Sequence, residues 1–147
     1  EKYGEEQVLK WRRSYDVRPP ALKISDKRWS GNDPKYRGLG KKEIPLTESL
    51  KDTVSRVVPY WKKEIAPEIK KGKMVLVSAS GNSMRGLIKY LEHMTKDEIL
   101  RFTIPYAVPI VYELDDNLKP LKRYFLGNPK EIRKIIKEIE GQGKARK

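Results

Sequence analysis

The stretch Met74–Ala79 (MVLVSA) constrains this chain more than any other. It follows a turn at Lys71-Gly72-Lys73 and runs as an unbroken series of apolar, β-favouring side chains into Ser78. A strand with one solvated face alternates polar and apolar residues; a continuous run suits a strand buried on both faces. Ser80-Gly81-Asn82-Ser83 comes next, followed by a helical pattern from Met84 to Leu91. A glycine turn that carries the C-terminal end of a strand into a helix presents unpaired backbone N–H groups. With the helix dipole, that is an anion-binding geometry.

Other elements are legible around this unit. Residues 5–13 (EEQVLKWRR) have acids in the first turn and arginines in the last, as the helix dipole favours. Residues 14–45 contain four prolines and three glycines and read as one long irregular segment. Within 18–42, Arg18, Lys23, Lys27, Arg28, Lys35, Arg37, Lys41 and Lys42 face only Asp26 and Asp33. Trp29 and Tyr36 lie among these cations, a pattern that suits nucleic acid or, more simply, aromatic anchoring of the loop. Residues 47–69 place Leu50, Val54, Val57, Val58, Trp61, Ile65 and Ile69 on one stripe. Pro59 predicts a kink there and Pro67 an early end. Thr95 with Glu98 forms a capping box that opens a short helix. Residues 108–114 and 120–126 read as two strands joined at Asp115-Asp116-Asn117. Ile132, Ile135, Ile136 and Ile139 mark a helix over 129–140, and a basic tail runs over 141–147.

At 147 residues the chain suits a single domain. No stretch approaches the ~18 apolar residues of a membrane helix. The chain has no cysteine, which excludes disulfides, thiolate metal sites and a cysteine nucleophile. Its one histidine, His93, excludes any two-histidine mechanism contained in this chain. Thirty-three basic residues against 20 acidic ones give a net charge of +13. That balance suits anionic partners, and equally a surface of solvated lysines.

Two places could carry chemistry. Ser80 stands at the strand-to-helix turn, but position 78 is serine, so the glycine-flanked elbow of a serine nucleophile is absent. His93, expected to face solvent at the end of the next helix, makes a poor base for it. Arg12 and Arg13 end the first helix, where two guanidinium forks can meet one phosphate or carboxylate.

Together these pieces are distinctive. Tyr3-Gly4-Glu5-Glu6-Gln7-Val8, Trp11-Arg12-Arg13-Ser14-Tyr15-Asp16-Val17 and Pro19-Pro20 resemble the cofactor-dependent phosphoglycerate mutases of the histidine phosphatase superfamily. So do Leu46-Thr47-Glu48-Ser49-Leu50-Lys51-Asp52, Val58-Pro59-Tyr60-Trp61 and Gly81-Asn82-Ser83. The likeness continues through Val111-Tyr112-Glu113-Leu114-Asp115 and Asn117-Leu118-Lys119-Pro120 to Gln142-Gly143-Lys144-Ala145, essentially end to end. Bisphosphoglycerate mutase shares most of these marks. The resemblance implies an α/β class and a three-layer α/β/α fold. It implies a phosphohistidine enzyme primed by 2,3-bisphosphoglycerate, and substrate binding by Arg12, Arg13, Gly81 and Asn82.

The sequence departs from that pattern where the chemistry lies. The family's first strand, its nucleophilic histidine in Arg-His-Gly-Glu and its glutamate acid/base have no counterpart here. The family's second histidine, in Ala-His-Gly-Asn-Ser, is replaced by Ser80. The family segment Ile-Pro-Thr-Gly-Val-Pro reads Ile104-Pro105-Tyr106-Ala107-Val108-Pro109, which is expected to push a bulky ring into the active-site space. Serine donates one hydrogen bond and carries no positive charge, so no catalytic residue is intact and no metal is implied. The expectation is one partial mutase-like domain over 1–147: a catalytically inactive relative serving as a structural or adaptor subunit, without a cofactor. A protein partner or a second copy would cover the edge of strand 74–79, and the basic surface could meet nucleic acid or a ribonucleoprotein. The alternative is the C-terminal portion of a genuine mutase that uses 2,3-bisphosphoglycerate as primer. The family is cytoplasmic, and the basic charge also suits mitochondria.

Overall fold

The structure, a computed structural model, describes residues 3–141. Helix α1 spans Glu5–Arg13, as its dipole-matched charges predict. Residues 14–45 lack a long element, but they are tightly turned. Successive i to i+3 backbone bonds link Asp26 to Lys23, Trp29 to Asp26, Asn32 to Trp29 and Tyr36 to Asp33 at 2.9–3.0 Å. Short 3₁₀ turns occupy Ser30–Asn32 and Pro34–Tyr36. Trp29 is buried at 5% exposure, and a side chain on Gly31 would overlap its ring. The loop is thus held by its aromatic anchor. Its N-terminal end is tied to the segment that opens the next helix: the Lys51 N–H donates to the Tyr15 carbonyl at 2.8 Å, and Thr47 Oγ1 donates to the Pro19 carbonyl at 2.6 Å.

Helix α2, Leu50–Tyr60, starts at a reciprocal capping box of Ser49 and Asp52. Pro59 lies inside it. The helix does not end near Pro67, as expected. It widens into a π turn over Trp61–Ile65 and continues as α3, Ala66–Lys70. Proline has no N–H to donate and its ring crowds the carbonyl four residues back. A π turn immediately before it relaxes that crowding and lets the helix pass.

Helix α4, Gly81–Leu91, packs across α2. The crossing is close because Gly86 has no side chain: a Cβ there would lie 3.4 Å from Val54 Cγ2 and 3.6 Å from its Cα. Trp61, Ala66, Leu87 and Leu91 form the core beside this crossing, with Val57, Ile65, Ile69 and Tyr90 packed around it. Helix α4 ends in a Schellman motif: the Met94 N–H reaches the Lys89 carbonyl at 3.1 Å, and the His93 N–H reaches the Tyr90 carbonyl at 3.3 Å. His93 takes the left-handed position of that motif, φ 52°, usually given to glycine, and is exposed. Helix α5, Lys96–Arg101, opens on the predicted Thr95–Glu98 capping box.

Strands β1 (Ile110–Leu114) and β2 (Pro120–Phe125) form an antiparallel hairpin, with Tyr112 opposite Arg123 and a bulge at Glu113/Leu114. A two-stranded hairpin is marginal alone. Glu92, at the end of α4, anchors this one: it accepts from Tyr112 Oη at 2.5 Å and from Arg123 Nη1 at 2.7 and 2.9 Å. Burial and the Glu92 hydrogen bond push the Tyr112 hydroxyl above its ordinary pKa. Leu118 closes the turn at φ 61°, and its side chain packs on the core. Helix α6, Pro129–Gly141, buries Ile132. The basic tail over 142–147 lies outside the described residues.

One expectation fails outright. Residues 74–79 form no strand, and no described residue hydrogen-bonds to their backbone. Met74 is 101% exposed and Leu76 91%. A buried strand requires neighbours on both edges and both faces, and the described residues supply none. Among them the sheet is the two-stranded hairpin, so the molecule is mixed α/β without a central parallel sheet. The whole chain exposes 11259 Å², against about 7,800 Å² for a compact monomer of its mass.

Tyr106 is also misplaced by the sequence reading: it is 61% exposed and turned to solvent. Ala107 beside it sits at φ 55°. That conformation costs a residue with a Cβ about 1–2 kcal/mol.

Two stability measurements check this account. Gly86→Ala fits at contact distance from Val54 and leaves the Tm nearly unchanged, whereas Gly86→Val pries α2 and α4 apart and destabilises by about 1–3 kcal/mol. Equal melting of both variants would show that the crossing is not close-packed. Ala107→Gly relieves the left-handed strain and raises the Tm by about 2–4 °C; an unchanged or lower Tm would mean that no strain is stored there.

Candidate anion site

The end of α1 and the start of α4 meet the start of α2 around a polar cleft of about 160 Å³. Each helix contributes its charge-bearing end. Arg12 projects from the last turn of α1, where the carbonyl end of the helix favours cations. Ser80 and Asn82 come from the start of α4. Ser80 is the N-cap: its Oγ accepts from the Ser83 N–H at 3.4 Å and lies 3.1 Å from Ser83 Oγ. The N–H groups of Gly81 and Asn82 have no acceptor among the described residues and stay available.

Arg85 completes the cleft. Its Nη2 donates to the Ile99 carbonyl at 2.7 Å, while its Nε is buried with no hydrogen-bond partner. Burial, and then the like charge of Arg13, lower its proton affinity. No described carboxylate pairs with it. The one acid lining the cleft, Glu48, is already held by Arg56 through a two-pronged contact at 2.8 and 3.0 Å. Close by, Asp52 accepts from Arg18 at 2.7 and 2.6 Å and from the Ser49 N–H and hydroxyl. Arg18 first and the Ser49 contacts second hold its carboxyl far below the ordinary range. The acids around the cleft are therefore spent on their own partners. Arg85, with no described carboxylate beside it, leaves the cleft positive, and Arg13 adds its like charge.

This arrangement can bind an oxyanion, because it joins guanidinium forks, free helix N–H groups and a buried donor. Among the described residues no imidazole stands at the cleft to serve as a base. Ser80 is engaged in capping, and the single imidazole, His93, sits beyond the far end of α4, about 16 Å along an 11-residue helix.

The sequence-predicted residues divide accordingly. Arg12, Ser80 and Asn82 line the cleft. Gly81 is exposed at the first position of α4, and Arg13 is half-buried outside the lining, where it acts on Arg85. Arg85 and the Glu48–Arg56 pair went unrecognised. Arg85 carried a readable signal: it lies three residues after Asn82 on one helix face, in a segment without an acid. In the basic loop, Arg18, Arg28 and Lys35 are paired with Asp52, Asp26 and Asp33, and buried Trp29 is unable to stack on a base.

Among the described residues, no cluster of three or more His, Cys, Asp or Glu is set to hold a metal, and no helix is long and apolar enough to cross a membrane. No protein-family model matches the chain.

A thermal-shift titration with inorganic phosphate tests the site. Phosphate at several times its Kd raises the wild-type Tm by about 2–4 °C, the equivalent of about 1 kcal/mol. Arg85→Met removes a buried, unpaired charge, so its own Tm stays within about 3 °C of wild type, but its phosphate shift disappears. Equal shifts in both proteins would place the anion elsewhere.

Proposed function

We propose that this chain is a phosphoglycerate mutase-like protein that performs no phosphoryl transfer by itself and works as a structural or adaptor subunit of a larger assembly. The observation that carries this reading is the unpaired apolar run at 74–79, with Met74 and Leu76 bare to solvent. Exposed backbone and apolar side chains in one segment form a template for strand pairing. The occupant is a protein partner or a second copy of the chain. The cleft supports catalytic silence. Transfer through a phosphohistidine needs an imidazole nucleophile and a cationic support for the phosphoryl group; here Ser80 stands at the turn as a helix cap.

Within this reading the architecture is an incomplete three-layer α/β/α mutase-like domain. The helices α2 and α4 supply one covering layer, and 74–79 is an extended segment that becomes a strand only when a partner strand pairs with it. Five loop cations without a carboxylate partner among the described residues (Lys23, Lys27, Arg37, Lys41 and Lys42) provide a surface for nucleic acid or an acidic protein.

A second reading is favoured by one observation: Arg12 and Asn82 still share a cleft with free helix N–H groups. In that reading the chain is the C-terminal portion of a genuine mutase, and another segment supplies the phosphohistidine, primed by 2,3-bisphosphoglycerate.

Hydrogen exchange and a turnover assay separate the two. The isolated chain exchanges its 74–79 amides within the experimental dead time, gains protection there in its native complex, and interconverts no 2- and 3-phosphoglycerate. Protection of 74–79 in the isolated monomer would overturn the assembly role. Turnover by the native complex, with acid-labile phosphate on a histidine, would establish the second reading.

A further inference from the structure

A second concavity, of about 460 Å³, shares no lining residue with the arginine cleft. It opens where the π turn and α3 face the C-terminal end of α4 and the hairpin turn. Its floor is apolar, made by Trp61, Ala66, Leu91 and Leu118, all of the main core or packed on it. Its rim is basic: Lys62, Lys70 and Lys119 line it, and no aspartate or glutamate does.

Apart from the exposed Asp116, the neighbouring acids are committed elsewhere. Glu64 faces Lys63 at 3.6 Å, and Glu68 pairs with Lys71 at 2.6 Å and also with Lys73. Asp115 turns its carboxylate onto the N–H groups of Asn117 and Lys119 at 2.9 and 2.7 Å. The Lys62 ammonium stands 5.4 Å over the Tyr90 ring, and those of Lys70 and Lys119 have no ion-pair partner among the described residues. The volume falls in the range of small-molecule sites, which are apolar pockets with a few polar groups that fix orientation.

From an apolar floor under three uncompensated ammonium groups we infer that this cleft binds a small amphipathic anion, with an aliphatic or aromatic body on the floor and a carboxylate or phosphate head at the lysine rim. The body gains from burial against Trp61 and Leu118, and the head satisfies charges that the fold leaves unmatched. The site is independent of the arginine cleft and of the assembly role.

Calorimetric titration of the full chain with octanoate and with octanol reads this directly. Octanoate binds saturably at one site per chain, octanol binds at least tenfold more weakly, and saturating inorganic phosphate does not displace octanoate. The triple variant Lys62→Gln, Lys70→Gln, Lys119→Gln keeps the wild-type Tm and loses at least tenfold in octanoate affinity. Methyl chemical-shift changes centre on Leu91 and Leu118. Equal affinity for octanol and octanoate, an unchanged Kd in the triple variant, or shift changes centred on Leu76 would overturn the inference. Binding of a glutamate-rich peptide bearing one phenylalanine, in the absence of octanoate binding, would also overturn it and assign the cleft to a protein segment.

Discussion

Everything ordered in this molecule hangs on the contact of α4 with α2 at Gly86 and Val54. The missing side chain at Gly86 lets two backbones approach within van der Waals distance. That approach aligns Leu87 and Leu91 with Trp61 and Ala66 in one core. The π turn after Tyr60 belongs to the same constraint. It carries the helix past Pro67, so that Ile65 and Ile69 reach the core that Trp61 begins. The hairpin is secondary to this pair: it is held by Glu92 at the end of α4 and by Leu114 and Leu118 resting on the core. Neither concavity would exist without the crossing, since the start of α4 walls one and its end walls the other.

The excess positive charge is not spread evenly in its effect. Many cations are matched: Arg18 by Asp52, Arg28 by Asp26, Arg56 by Glu48, Arg123 by Glu92. These exposed or half-exposed pairs shape loops and helix starts more than they add stability. Apart from the loop lysines and Arg37, cations gather at two concavities, the arginine cleft and the lysine rim. The chemistry differs between them. Planar guanidinium forks beside free helix N–H groups suit a compact oxyanion, whereas ammonium groups above an apolar floor suit a charged head on an apolar body. One net charge thus serves two kinds of ligand.

Much of this was open to reading in the chain. The dipole-matched helix at 5–13, the Thr95–Glu98 cap, the hairpin around Asp115-Asp116-Asn117 and the isoleucine helix at the end depend on neighbours a few residues apart. The resemblance grouped Arg12, Arg13, Gly81 and Asn82 with Ser80; Arg12, Ser80 and Asn82 line one cleft, whereas Arg13 and Gly81 do not. Arg85 was harder to see, because its importance rests on a negative: a buried donor that nothing accepts. Tyr106 and Pro67 misled for a shared reason. A ring's direction and a helix's way around a proline depend on what lies beside them.

The sequence by itself determined most helices, the hairpin, the Thr95–Glu98 cap, the positive balance and the absence of thiol chemistry, since each follows from composition or from contacts a few residues apart. Tertiary structure decided which cations stay unpaired and that residues 74–79 have no strand beside them. The physical reason is range. A buried strand is recognised by its own side chains but is made by neighbours far along the chain, and a free cation is free only when every distant acid has found another partner.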